Sequence, residues 1–160
     1  EGIDLAIRHT AARNAPPGSH RLFGEVLAPV ASPSLGLKPL RTASALSRLT
    51  LLEFEDSRTP WLNWSTWLES VGWGGATAAH YLRFNQYDMV IQAALAGQGV
   101  ALGRQDLVRP LIDAGRLVWL APPQQSRTTT HAYWLVQAEE NPREDVQVVA
   151  EWIRGAAGAD

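Results

Sequence analysis

The residues of this chain that could do chemistry are scattered, and their spacing excludes most catalytic arrangements. His9, His20, His80 and His131 stand at no i, i+4 or short-loop interval from one another or from a carboxylate, so they meet only if folding brings them together. The chain has no cysteine, and therefore no thiolate nucleophile, disulfide framework or cysteine metal site, as suits a reducing compartment. No Gly-x-Ser-x-Gly elbow and no Ser-x-x-Lys occurs. Gly97-Gln98-Gly99 ends a helical pattern where a dinucleotide fingerprint would open one, and Gly72-Trp73-Gly74-Gly75 also follows a helix, so neither reads as a phosphate cradle. Asp88, ahead of an apolar helical run, reads as a helix cap rather than an acid catalyst. Asn63-Trp64-Ser65 matches a glycosylation sequon and is taken as chance without a secretion signal. The tryptophans invite a sugar or nucleobase site. Trp64, Trp67, Leu68 and Val71 nevertheless fall at i, i+3, i+4 and i+7, the stripe of a helix packed on a sheet. We expect no enzyme, no cofactor and no metal.

The elements that would position a site are clearest between Arg83 and Gly103. Val90, Ile91, Ala93, Ala94 and Leu95 make a helix buried on most sides, Gly97 and Gly99 stop it, and Val100 to Leu102 has the apolar run of a parallel strand covered on both faces. This is a strand, helix, strand unit, the building block of an open α/β sheet whose ligands bind at strand ends.

Composition sets the bounds. The 160 residues suffice for a real core, 46% of them are hydrophobic and 19% charged, and a net charge of -2 with scattered basic residues is no surface for gripping nucleic acid. No run of about 18 apolar residues marks a membrane span. The chain lacks an initiator Met and opens inside an apparent strand, Ile3 to Ile7, so it reads as cut from something longer.

Further strands are expected at Leu22–Val30, Leu49–Phe54, Tyr81–Phe84, Leu117–Leu120 and Ala132–Val136. Arg8-His9-Thr10 reads as the break of the first strand and Gln124 to Thr130 as a connection. Leu107, Val108, Leu111 and Ile112 suggest a helix that starts late or bends at Pro110. Asn141 before Pro142, with Glu144 following, predicts a capped final helix whose buried stripe is Val146, Val149, Ala150 and Ile153, fraying from Gly155. Proline-bearing crossings near residues 11–20 and 121–130 bracket a middle block. Residues 1–20 and 121–160 would then share one lobe and residues 21–120 form another, the connectivity of a two-lobed binding fold.

Four segments, in this order, carry a family resemblance: Gly2-Ile3-Asp4-Leu5-Ala6-Ile7-Arg8, Leu27-Ala28-Pro29-Val30-Ala31-Ser32-Pro33-Ser34-Leu35, the run Arg83 to Gly103, and Ala114-Gly115-Arg116-Leu117-Val118. Together they resemble the effector-binding region of LysR-type transcriptional regulators, in the subgroup of the glycine-cleavage activator and the β-lactamase regulator. The resemblance implies an α/β, periplasmic-binding-protein-like fold, with one complete lobe and part of a second. It also implies a small-molecule effector in the cleft, a homodimer or higher homo-oligomer in the cytoplasm, and DNA contact only through an absent N-terminal winged helix-turn-helix. By where they fall on these elements, the expected effector contacts are Arg8 and His9 at the first strand's end and Phe84 and Asn85 where strand turns to helix. Gly103 and Arg104 at the next strand's end, and His131 and Tyr133 on the return strand, complete the set. Amides at the helix start favour a carboxylate. A truncated first lobe would expose apolar surface and self-associate. The alternative reading is a periplasmic solute-binding protein of a transporter, which shares the architecture.

Overall fold

The computed structural model describes residues 2–121 and 128–158. In chain order its regular elements are β1 (Leu5–Ala11), β2 (His20–Ala31), β3 (Thr50–Phe54), α1 (Trp64–Ser70), β4 (His80–Phe84) and α2 (Tyr87–Leu95). They continue with β5 (Val100–Arg104), α3 (Gln105–Asp113), β6 (Val118–Trp119), β7 (Thr128–Gln137) and α4 (Glu144–Ala156). The chain divides into two compact units, Glu1–Glu25 with Thr128–Asp160, and Val26–Arg127.

The second unit is a mixed sheet between helices. β3 pairs in parallel with β4 and β5, whereas β2 pairs antiparallel with β5 and β6, so β5 is parallel on one side only. Alternation along the strands sends successive residues to opposite faces. Leu51, Val100 and Leu102 pack with Trp64, Trp67 and Leu68 of α1, while Leu52, Ala101 and Val30 pack with Val90, Ile91 and Ala94 of α2 and Val108 of α3. The tryptophans are therefore core. Trp64 Nε1 donates to the Leu52 carbonyl at 3.0 Å and Trp67 Nε1 to that of Leu27 at 3.3 Å, so each buried indole N–H is satisfied by a strand. Asn63 caps α1, its Oδ1 accepting from the Thr66 N–H at 2.9 Å. Gly99 lets β5 approach β3, because a Cβ there would lie 2.5 Å from the Thr50 carbonyl oxygen.

Several sequence expectations are corrected here. The N-cap of α2 is Gln86, and Asp88 lies in the first helical turn, where its charge complements the helix dipole without capping. Helix α3 starts directly after β5 and carries Pro110 inside it. The missing N–H costs one bond, but burial of Val108 and packing of Leu111 and Ile112 on the core hold the helix. Helix α4 starts at Glu144 with Arg143 as N-cap and no side-chain cap, so the Asn141 capping box does not form. Two acidic residues, Glu144 and Asp145, instead occupy the first turn, and α4 continues through Gly155 to Ala156. Finally, β1 does not break at Arg8-His9-Thr10. It pairs antiparallel with β7 from Leu5↔Gln137 to Ala11↔His131, and this ladder outweighs the local polar run. Strand β7 itself begins at Thr128, inside the expected connection, whose earlier part, 124–127, lies outside the described residues.

In the first unit the strand order is β1-β7-β2. Leu22, Leu135 and Ala150 are buried together, with Leu5, Phe23, Tyr133 and Ile153 packed around them. This buries one stripe of α4. The other side carries Val148 and Trp152, 60% and 71% exposed. With them goes Val149, which the sequence places in the buried stripe but which is 47% exposed because it lies beyond the edge of the face that meets Leu22 and Leu135.

Candidate functional site

Two separate clusters hold the residues picked out by sequence. In the second unit, β3, β4 and β5 end at one edge of the sheet, and α2 and α3 begin there. The chain passes from β3 through α1 to β4, then back over β3 through α2 to β5. Since α1 and α2 cover opposite faces, the connections diverge at the carboxyl ends of β3 and β5, the topological position at which open α/β sheets take ligands. Phe84 closes β4 and is partly buried against the α2 core, and Asn85 beyond it is exposed. Arg104 closes β5 and stands as the N-cap of α3, with no side-chain bond to the helix; Gln86 likewise leaves α2 without a side-chain cap. Neither N-cap side chain therefore binds its helix's first turn, an arrangement suited to an anion.

Tyr87, which sequence reasoning did not select, ties this edge together. Its Oη donates to the Leu102 carbonyl at 3.0 Å and accepts from the Arg104 N–H at 2.8 Å. The Arg104 guanidinium lies 5.5 Å from the Tyr87 ring centroid, within cation–π range, and Phe54 meets the same ring edge-on at 5.9 Å. The only sequence signal was a tyrosine on the first helical residue after a strand. Gly103 has a different part. It is buried, and a Cβ there would come 2.8 Å from Val30 Cγ1 and 3.1 Å from Val108 Cγ2, so its side faces the core.

Beside this edge, on the α1 side, lies a cavity of about 700 Å³ whose lining includes Glu53, Glu55, Asp56, Glu69, Tyr81 and Arg83. Arg83 Nη1 pairs with Glu55 Oε1 at 2.6 Å. Glu53 accepts from the Trp64 N–H at 3.1 Å, and its carboxyl lies above the usual glutamate value, chiefly through burial, against the lowering effects of that bond and of Arg83. Phe84, Asn85, Gly103 and Arg104 do not line the cavity.

In the first unit, folding gathers His9, His131 and Tyr133. His9 lies directly across from Tyr133 in the β1–β7 ladder. The His9 ring centroid is 4.7 Å from that of Tyr133 and 5.5 Å from that of His131, and Tyr133 is 4.7 Å from Phe23. Beneath them is a residue the sequence reading passed over: Glu25, 3% exposed, with Oε2 2.8 Å from His9 Nε2. A charged residue inside the otherwise apolar Leu22–Val30 run was the available signal. Arg8 is not part of the cluster, since strand alternation turns it to the opposite face from His9, and it is exposed. His20 lies near Arg154 and His80 is exposed on β4. Among the described residues no group of three His, Cys, Asp or Glu could hold a metal, and no helix is long and apolar enough to cross a membrane.

Comparison with known proteins gives this geometry a context. The family model for the LysR substrate binding domain matches residues 1–158. The glycine cleavage system transcriptional activator of Escherichia coli (strain K12) is 33% identical over 166 residues, covering 100% of this chain and 52% of that protein. The HTH-type transcriptional regulator DsdC of the same strain is 29% identical over 143 residues, covering 84% of this chain and 44% of that protein. The chain thus spans about half the length of the curated relatives it matches. Among solved structures, the effector domain of AmpR from Pseudomonas aeruginosa is similar with a TM-score of 0.67 at 20% identity, covering 98% of this chain and 72% of that one. The regulatory domain of HypT from Salmonella typhimurium gives 0.63 at 18% identity, covering 98% and 74%. The fold is α/β and periplasmic-binding-protein-like.

Proposed function

Because the chain belongs to the LysR substrate-binding-domain family, we propose that it is the effector-sensing region of a LysR-type transcriptional regulator, taking up a small molecule and passing its presence to DNA. The effector carries a carboxylate. The observation that supports this is the sheet edge of the second unit, where exposed Asn85, the Arg104 guanidinium and the starts of α2 and α3 come at the ends of β4 and β5. Arg104 and Asn85 contact the effector there, and Phe84 supplies an apolar wall. In the first unit, His9, His131 and Tyr133 contribute contacts, with Arg8 at the outer surface. Gly103 serves by keeping β5 close to Val30 and Val108 rather than by touching ligand. DNA contact belongs to the part of such regulators that this chain does not span, and the working form is a cytoplasmic homo-oligomer. Signalling requires that the effector bind one arrangement of the protein more tightly than another, since equal affinity shifts nothing.

The test is a thermal-shift panel of glycine, the other amino acids, aromatic acids and short peptides, followed by R104A. A compound at 100 times its Kd adds about 2.7 kcal/mol of apparent stability, a rise of about 5–10 °C for a chain this size. R104A should abolish the rise while leaving the unliganded midpoint within about 2 °C. A panel without any shift, or a shift that R104A retains, refutes the assignment.

A further inference from the structure

We propose that Glu25 is a positioning residue of the effector site, holding His9 by its Nε2 edge and thereby fixing the ring that the effector meets. The inference rests on the reading of His9 as an effector contact and adds to it the residue that sets its geometry.

Burial supplies the first part of the case. Glu25 is 3% exposed within β2, among residues such as Leu22, Leu27 and Val30 that fill cores. A carboxylate in such a place is disfavoured by desolvation, and an apolar residue of similar size would suit the strand better. Its partner shows the compensation: Oε2 stands 2.8 Å from His9 Nε2. The contact is a charge-pair distance rather than an aligned hydrogen bond, and a proton on Nε2 is what would keep a carboxylate oxygen and an imidazole nitrogen from repelling at that separation. Which ring nitrogen carries the proton is then set by Glu25, as the second partner of a functional histidine commonly does.

Exposure supplies the second part. The His9 side chain is 20% exposed and that of Glu25 only 2%, so of the two His9 alone can meet a ligand, and Glu25 acts through it. The remaining sides of the ring are also held, by Tyr133 at 4.7 Å and His131 at 5.5 Å, both from β7. Among the described residues, the groups facing His9 thus include Glu25 from β2 and His131 and Tyr133 from β7.

The experiment needs no effector at first. Long-range 1H–15N NMR of this chain, with His9 assigned by comparison with H9N, should show a protonated His9 Nε2. In E25Q that signature should move toward the mixture of tautomers seen for free imidazole, and E25D should restore it in part. Amide signals of β3, β4 and β5 should stay in place. Binding of whichever panel compound gives the largest thermal shift should weaken about tenfold in E25Q. H9N should weaken it equally, and the double variant should be no worse than either alone. A bare Nε2 in the wild-type chain overturns the proposal, whether or not E25Q folds. So do a signature unmoved in E25Q and additive losses in the double variant. If H9N binds the compound as well as wild type, His9 is no effector contact and that reading falls, even with the E25Q signature moved as expected.

Discussion

Replacing Tyr87 by Phe removes one oxygen and nothing else, yet that oxygen joins α2 to β5. It accepts from the Arg104 N–H at 2.8 Å and donates to the Leu102 carbonyl at 3.0 Å. Each such bond is worth about 1 kcal/mol net, and a buried group left without a partner costs about 1–3 kcal/mol. The two ends differ in their recourse to water. Leu102 is 4% exposed, so its carbonyl stays dry, whereas Arg104 is only partly buried and its N–H can be rehydrated. We therefore expect a loss of about 2 kcal/mol, nearer the single-orphan figure than the sum. For a chain of 160 residues this lowers Tm by about 4–8 °C. Urea unfolding followed by tryptophan fluorescence is the assay, because five of the seven tryptophans lie in the second unit. Phe keeps the ring beneath the Arg104 guanidinium, so hydrogen exchange at the Arg104 amide should rise without loss of the packing itself. A midpoint within about 0.3 kcal/mol of wild type would refute the claim that this hydroxyl braces the strand end.

Three other outcomes are expected. G99A should lose about 1–3 kcal/mol in urea unfolding, since its Cβ would lie 2.5 Å from the Thr50 carbonyl oxygen and force β5 away from β3; an unchanged midpoint would show that the two strands tolerate a wider spacing. Burial holds Glu53 above the usual glutamate value, so the folded state keeps a proton that the unfolded state has released, and stability falls as pH rises from that value through the folded one. E53Q removes this dependence, so its urea midpoint relative to wild type should climb as the pH rises from the usual glutamate value through the raised one. Val148, Val149 and Trp152 leave an apolar stripe on the outside of α4, so light scattering at high concentration should detect self-association that W152E reduces without lowering Tm.

Periodicity carried most of the second unit. The i, i+3, i+4 spacing of Trp64, Trp67 and Leu68 placed α1, and the small-residue run from Val90 to Leu95 placed α2, because both helices are short amphipathic pieces whose burial is decided locally. Strand extent was less legible where pairing overrides local polarity. Arg8, His9 and Thr10 look like a break, but their partners Trp134, Tyr133 and Ala132 come from the far end of the chain. The same non-local pairing explains the missed Glu25. Its burial depends on the elements packed around it, and nothing within a few residues of Glu25 announces His9 as its partner. Asn141 misled for the opposite reason. A sound local capping signature lost to the acidic pair Glu144 and Asp145, which set the helix start further on.

The first unit is assembled from both ends of the chain, and this sets the order in which the molecule can be made. Everything in Val26–Arg127 has left the ribosome before β7 is complete, so the second unit is free to fold while β1 still waits for its partner. Register from Leu5↔Gln137 onward closes a very long loop, which in an unstructured chain would be slow and entropically costly. A second unit already folded shortens that search by replacing a random loop with a compact one. Substitutions that slow the second unit, such as those at Gly99 or Tyr87, should therefore prolong the time for which the apolar faces of β1 and β2 stand open, and so lower soluble yield more than their equilibrium cost suggests.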